Sequence, residues 1–199
     1  MSVAAGVSDH RGWAVVVCIG ARDGVPFVAD RRRIELIDDG VESQPFHHAG
    51  PDASAAEVEP LVERLRASAG ARATASLSEL RDALDAPLSS VSLEEERVAL
   101  PAGVADILGS QQWMIAADGA IYRGAIRSAA EKLGARVVAL PRGSEIDRAA
   151  EALGASEDDL DALLTELGRE VGPPWRKEHR KAAAGAITAL GTQLPLHLP

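Results

Sequence analysis

The order in which strand-like and helix-like patterns follow one another constrains the fold of this 199-residue chain more than any single motif. Three runs typical of β-strands, at 3–7, 13–19 and 28–37, come before the first helical period. Asp23-Gly24, a dipeptide typical of a tight hairpin turn, separates the second run from the third. Helical segments then alternate with short apolar runs. This order predicts one α/β domain over 1–199, with a mixed sheet of antiparallel hairpins followed by parallel strands, flanked by helices.

The periodicity of the remaining chain predicts further elements. Apolar residues at helical or strand spacing predict helices near 57–67, 76–84, 145–153, 158–167 and 177–190, and strands at 91–93 and 136–140. The stretch 113–117 allows two interpretations, a strand that ends at Asp118 or part of a kinked helix that continues to Leu133. The spacing from Ile115 to Leu133 favours the helix.

Charge and composition limit the classes of function. A net charge of −9 argues against broad attraction to nucleic acid, and an aromatic content of 3% argues against stacking platforms for single strands. Nine acidic residues fall within 144–170, so the basic clusters at 31–33 and 176–181 still allow a local anion-binding face. The single Cys18 lies in an apolar run, which predicts a core position. The chain shows no signal-peptide pattern and no apolar run of the roughly 18 residues that span a bilayer, so we expect a cytoplasmic protein.

Acidic residues stand at the ends of the predicted elements. Asp9 follows the first strand, Glu94 follows the strand at 91–93, and Glu178 lies at the start of the last helix. Asp118 competes with Glu94 if 113–117 is a strand. Carboxylate oxygens are the ligands that Mg²⁺ prefers, and two such ions can stabilise the attacking and leaving oxygens of a displacement at phosphorus.

Four short segments carry a resemblance to a known family: Gly6-Val-Ser-Asp9, Gly12-Trp-Ala-Val15, Val91-Ser-Leu-Glu94 and Glu178-His-Arg-Lys181. Together with the element order, they resemble the ribonuclease H-like superfamily and, within it, the RuvC-type Holliday junction resolvases. The resemblance implies a Mg²⁺- or Mn²⁺-dependent hydrolase of structured nucleic acid, active as a homodimer, with Asp9, Glu94 and Glu178 as metal ligands. The other implied roles are Asp118 as an alternative catalytic acid, His179 as a metal ligand or proton carrier, and Arg31, Arg33 and Lys181 as phosphate contacts.

Two departures from the family pattern point to an alternative function. Ser8, not Asp9, directly follows Gly-Val, where the family places its acid, and a shift of one residue allows Asp9 to face the other side of the strand. Lys181 stands where a resolvase often has a second acid. A lysine there could replace a cation electrostatically or bind phosphate, and it would weaken metal binding. The alternative is a catalytically inactive ribonuclease H-like protein that serves as a binding or scaffold module.

The chain lacks the sequence motifs of two other enzyme classes. The chain contains no G-x-x-x-x-G-K-[ST] phosphate-binding loop and no G-x-S-x-G nucleophile elbow. It also resembles a group of bacterial proteins of unassigned activity that share a Gly-Trp hairpin, an Arg-Arg-Arg strand and a Gly-Pro-Pro-Trp turn. The third predicted strand is expected at an edge of the sheet, where a second copy of the chain could pair with it.

Overall fold

A five-stranded mixed sheet forms the centre of the computed structural model, which describes residues 2–49, 52–96 and 98–199. The strands are β1 (Val3–Asp9), β2 (Trp13–Arg22), β3 (Val25–Glu35), β4 (Leu88–Glu94) and β5 (Arg136–Leu140). Their order across the sheet is β3-β2-β1-β4-β5. The first three strands pair antiparallel, whereas β4 runs parallel to both β1 and β5. The predicted mixed sheet is therefore confirmed.

Helices cover both faces of this sheet. They are α1 (Ala55–Ala83), α2 (Val104–Leu108), α3 (Gln111–Lys132), α4 (Glu145–Leu153), α5 (Glu157–Val171) and α6 (Lys177–Gly191). Side chains of a strand point alternately to opposite faces, so Val3, Ala5 and Val7 of β1 pack with α1 and α3, while Ala4 packs with α4, α5 and α6. Within the described ranges, no helix is both long and apolar enough to cross a membrane.

The long helix α1 corrects the prediction of two helices at 57–67 and 76–84. It continues through Gly70 without a break for 29 residues. A glycine costs a helix interior only about 1 kcal/mol relative to alanine. Ser68, Ala69 and Ala73 extend the buried stripe of the first half into the second, so packing against the sheet outweighs that cost.

Two local predictions are confirmed. Asp23 and Gly24 both have positive φ angles, 50° and 84°, as the two-residue turn between β2 and β3 requires. The stretch 113–117 is helical and lies within α3. The helical pattern that begins near Pro101 is divided at Gly109 into α2 and α3.

Candidate functional site

An open cleft of about 780 Å³ lies at the carboxyl ends of β1 and β4. Because these two strands are adjacent and parallel, their last residues, Asp9 and Glu94, reach the same edge of the sheet. The first turn of α6 brings Glu178 and Lys181 to the same cleft. The three acids that the sequence singles out as metal ligands therefore line one cavity.

Close packing of α6 on the sheet determines where its first turn lies. A Cβ atom on Gly185 of α6 would stand 2.5 Å from the hydroxyl oxygen of Ser92 in β4. Real Cβ atoms do not make contacts this short, so the Ser92 hydroxyl keeps this orientation only because residue 185 is glycine. The close approach brings Lys181, one turn earlier on the helix, within reach of Glu94.

Lys181 lies between two buried carboxylates. Its ammonium nitrogen is 3.2 Å from Oε2 of Glu94 and 3.2 Å from Oε1 of Glu145 at the start of α4. The side chains of Glu94 and Glu145 are only 11% and 9% exposed. Burial by itself would lower the pKa of Lys181, but the two carboxylates outweigh this effect and raise it. Lys181 is therefore held as a cation, and Arg142 lies 3.9 Å from the same Glu94 oxygen.

Arg123 of α3 neutralises the acid on β1. It donates to Oδ2 of Asp9 over 3.3 Å and forms a two-pronged contact with Glu96, at 2.9 and 2.7 Å. The side chains of Arg123 and Asp9 are 12% and 10% exposed. Burial raises the pKa of Asp9, and the neighbouring guanidinium offsets that rise only in part.

The two strand-end acids contact helices on opposite faces of the sheet. Ala5 and Val7 of β1 face α3, and Asp9 continues their alternation and meets Arg123 on that face. Glu94 instead continues the face of Ser92, which packs against α6. On β1 the position that shares the α6 face is Ser8, which carries no charge. The one-residue offset visible in Gly-Val-Ser-Asp therefore separates the two acids.

This arrangement does not fit the pair of divalent ions that the family resemblance implies. Within residues 2–49, 52–96 and 98–199, no three acidic, histidine or cysteine side chains are grouped closely enough to hold a metal ion. A shared metal ion would need both Asp9 and Glu94 as ligands. Instead, each of the two forms a salt bridge with a different cationic side chain. The two strand-end acids of the cleft are thus held in ion pairs with protein side chains.

The charge of the cleft is balanced differently from that of the whole chain. Its lining includes four acidic side chains, at Asp9, Glu94, Glu96 and Glu178. It also includes five cationic side chains, at Arg11, Lys177, Arg142, Arg123 and Lys181. The first two of these cations are exposed, and the side chain of Arg142 is 60% exposed. With Glu145, which pairs with Lys181 beside the cleft, the described acids and cations of the site are equal in number, so a protein with a net charge of −9 is close to neutral at this point.

Two of the predicted site residues, His179 in α6 and Arg31 in β3, contact the turn before α6 and do not line the cleft. Nδ1 of the buried His179 accepts a hydrogen bond from the Arg176 amide and so caps the helix. Burial, with Arg31 nearby, lowers the pKa of His179. Arg31 donates to the carbonyl oxygens of Gly172, Pro173 and Pro174, over 2.7, 3.3 and 2.6 Å. Both side chains hold the turn that leads into α6.

Arg33 and Asp118 also lie outside the cleft lining. Arg33 pairs with Glu35 over 2.7 Å, and its guanidinium stands 4.2 Å from the centre of the Trp13 ring. Asp118 is fully buried in α3, where its carboxylate accepts hydrogen bonds from the amides of Phe46 and His47, at 3.2 and 3.0 Å. The helical interpretation of 113–117 places this acid beneath the segment that joins β3 to α1.

Sequence patterns do not assign Glu96, Arg142 or Glu145 to the site, and they do not connect Arg123 with Asp9. Arg123 is 114 residues from its partner Asp9. Glu96 follows Glu94 within a run of three glutamates, and the run shows no partner for either. Glu145 belongs to the acidic segment, where nothing distinguishes it from its exposed neighbours. Only packing brings these residues together.

Comparison with solved structures shows a likeness to RuvC of Thermus thermophilus. The T. thermophilus RuvC structure matches with a TM-score of 0.51 and 16% identity, covering 95% of this chain and 93% of that one. T. thermophilus RuvC in complex with a Holliday junction substrate matches with a TM-score of 0.53 and 15% identity, covering 96% and 94%. No protein-family model and no curated protein matches the chain. At this identity the likeness shows the fold, which is ribonuclease H-like and of the RuvC type.

Proposed function

We propose that this protein binds structured nucleic acid through the cleft at the ends of β1 and β4, without cleaving it. The observation that carries the proposal is that three exposed cationic side chains, Arg11, Arg142 and Lys177, line one cleft of a strongly acidic protein. A solved structure of the same fold contains RuvC of T. thermophilus in complex with a Holliday junction substrate. Both facts support a nucleic-acid ligand for this site.

The cations of the cleft fall into two sets that differ in their exposure and in their pairing with acids. Lys181 and Arg123 are held by buried carboxylates, so they contribute little free charge to a ligand. Arg11 and Lys177, which also line the cleft, are exposed, and the side chain of Arg142 is 60% exposed. Exposed Lys and Arg side chains are the groups that bind backbone phosphates and release counterions. We therefore assign phosphate contact to the second set.

The acids of the cleft favour binding over hydrolysis. Hydrolysis of the RuvC kind, as the resemblance implies it, needs carboxylates that share divalent ions. Here Asp9 and Glu94 are turned to opposite faces and paired with Arg123 and Lys181. The negative charge inside the cleft would also repel phosphates from its floor and keep the backbone near the exposed cations at the rim.

The test is a binding measurement with a four-way DNA junction and a linear duplex of the same length. The variant Arg11→Ala with Lys177→Ala should bind the junction more weakly than the wild type. Each lost phosphate contact makes the salt dependence of log K shallower by about 0.9, so the double variant should lose about 1.8 from the slope.

The matched control removes two exposed arginines that do not line the cleft. Arg66→Ala with Arg169→Ala changes the net charge by the same amount, and each arginine sits in an exposed ion pair on α1 or α5. Junction binding by this variant should equal that of the wild type. Equal weakening in both double variants would show that net charge alone controls binding and would exclude the cleft as the site.

A second candidate function is Mg²⁺- or Mn²⁺-dependent hydrolysis of structured nucleic acid. The observation that favours it is that Asp9, Glu94 and Glu178 line the same cleft. It requires the ion pairs of Lys181 and Arg123 to open. Cleavage of a branched DNA in the presence of either ion, lost in Asp9→Asn, Glu94→Gln and Glu178→Gln, would support hydrolysis and overturn the binding-only proposal.

We also propose that the protein acts as a homodimer, since two copies would present two clefts to one branched substrate. The strand β3 lies at an edge of the sheet, where a second chain could pair with it. Sedimentation velocity at micromolar concentration would report a mass near twice that of the 20.8 kDa chain if this is correct. The cytoplasmic location expected from the sequence stays a prediction.

A further inference from the structure

We infer that Lys181 and Arg123 are the permanent counterions of the cleft carboxylates and take the place of divalent metal ions. The inference concerns the cleft of the proposed function, but it makes a statement about metal binding alone. It can therefore be wrong while the proposed nucleic-acid binding is correct, and it can be correct while that binding is absent.

The first argument is the balance of charge around Lys181. Two carboxylates that are about nine-tenths buried, Glu94 and Glu145, share one ammonium group at 3.2 Å each. A buried carboxylate without a counterion is costly, because the low dielectric of the interior does not screen its charge. Lys181 supplies that counterion covalently, as part of α6. A divalent ion at the same point would have to displace the ammonium from both acids.

Arg123 is the counterion of Asp9 on the other face of the sheet. Its planar guanidinium donates to both oxygens of Glu96 and to Asp9, which suits the fork geometry of arginine. Both Arg123 and Asp9 are nearly buried. Removing Asp9 from this contact to bind a metal would leave the guanidinium short of a partner in a poorly solvated position.

The register of β1 makes the separation permanent. Gly6 faces α6, so Ser8, two residues on, faces α6 as well, and Asp9 faces α3. A shift of the strand by one residue would exchange its two faces along the whole length of β1. Val7 and Ala5, which are buried against α1 and α3, would then point toward α6. The register therefore fixes Asp9 on the face opposite to Glu94, although both line the same cleft.

The first test titrates Mn²⁺ into the wild type and into Lys181→Met, with calorimetry and thermal unfolding as readouts. We expect no saturable Mn²⁺ binding and no change of melting temperature for the wild type at millimolar metal. In Lys181→Met the two carboxylates lose the ammonium group that they share, so Mn²⁺ should raise the melting temperature of the variant. Lys181→Arg keeps the charge and should be as insensitive to Mn²⁺ as the wild type.

The second test introduces a pair of acids on the α6 face, which the register of β1 does not provide in the wild type. Ser8→Asp with Lys181→Asp places two carboxylates beside Glu94 on the α6 face, and this variant should bind Mn²⁺ saturably, at least tenfold more tightly than the wild type. Its matched control, Gln112→Asp with Lys177→Asp, changes the net charge equally at exposed positions of the same cleft and should not gain binding.

Three outcomes would overturn the inference. The first is saturable Mn²⁺ binding by the wild type that Asp9→Asn or Glu94→Gln abolishes. The second is equal binding by the Ser8/Lys181 variant and its control, which would make acidity alone responsible. The third is a folded Ser8/Lys181 variant, shown by circular dichroism, that binds no Mn²⁺. If that variant does not fold, the wild-type titration and the Mn²⁺ response of Lys181→Met decide the question.

Discussion

Gly6 in β1 lies so close to the backbone of α6 that a Cβ atom at this position would overlap the carbonyl oxygen of Ala182. Ala182 directly follows Lys181, the lysine that pairs with Glu94 and Glu145. The distance between β1 and α6, and with it the position of the cleft lysine, therefore depends on the missing side chain of one glycine. This contact supports the first of four predictions.

Gly6→Ala should destabilise the protein. The added methyl group meets backbone atoms of α6, which cannot move aside as a flexible side chain would, and overpacking of this kind costs typically about 1–3 kcal/mol. The free energy of unfolding in urea measures the effect. Gly70→Ala in α1 is the control, because nothing lies within 4 Å of its added Cβ and alanine favours a helix. A Gly6→Ala protein as stable as the Gly70→Ala protein would contradict the packing described here.

Arg31→Ala should destabilise the protein more than Arg33→Ala, although both arginines lie on β3. Arg31 donates to three backbone carbonyl oxygens at the turn before α6, and a hydrogen bond from a charged group contributes about 1.5–3 kcal/mol. Arg33 makes an exposed ion pair, worth about 0–1 kcal/mol, and a contact with Trp13 of similar size. Chemical denaturation compares the two variants, and equal losses would exclude the anchoring role of Arg31.

Asp118 should contribute a stability that is lost as the pH rises through about 6. Burial raises the pKa of Asp118 to about 6 even though its carboxylate accepts two amide hydrogen bonds. The folded state therefore holds a proton between the unfolded pKa, near 3.8, and about 6. The stability gained from this proton is complete below the unfolded value and is lost as the pH rises through the folded value.

The expected loss from Asp118 is at most about 3 kcal/mol between about pH 4 and about pH 7. Asn at this position carries no titrating proton, so Asp118→Asn should flatten the pH dependence by that amount. Urea unfolding of both proteins across this range gives the difference, in which the contributions of other titrating groups cancel. Parallel pH profiles for the two proteins would rule out this role for Asp118.

Cys18 should be inert toward thiol reagents in the folded protein. It is completely buried in β2, and burial raises the pKa of its thiol to about 12, so almost no thiolate forms near neutral pH. The rate of reaction with a disulfide reagent should therefore follow global unfolding and rise by orders of magnitude in denaturant. Rapid modification in buffer alone would show that the centre of the sheet opens locally.

Local patterns were sufficient to predict most of the fold. The Asp23-Gly24 turn, the helical character of 113–117 and the strand at 136–140 depend on the residues themselves and their near neighbours, and all three are confirmed. The division of α1 into two helices was wrong because Gly70 is a weak local signal, and the packing of Ala69 and Ala73 overrides it. That packing involves strands that are distant in sequence.

The candidate site also has some features that local sequence predicts and others that only the packing of the helices determines. Local sequence is enough to place acids at the ends of β1 and β4, a lysine in the first turns of α6, and Ser8 and Asp9 on opposite faces of one strand, because these features follow from neighbouring residues and from the two-residue period of a strand. Which cation meets which acid is settled by the packing of the helices. Arg123 reaches Asp9 across 114 residues and Lys181 reaches Glu94 across 87, and such contacts depend on how whole helices pack on the sheet, which no local pattern encodes.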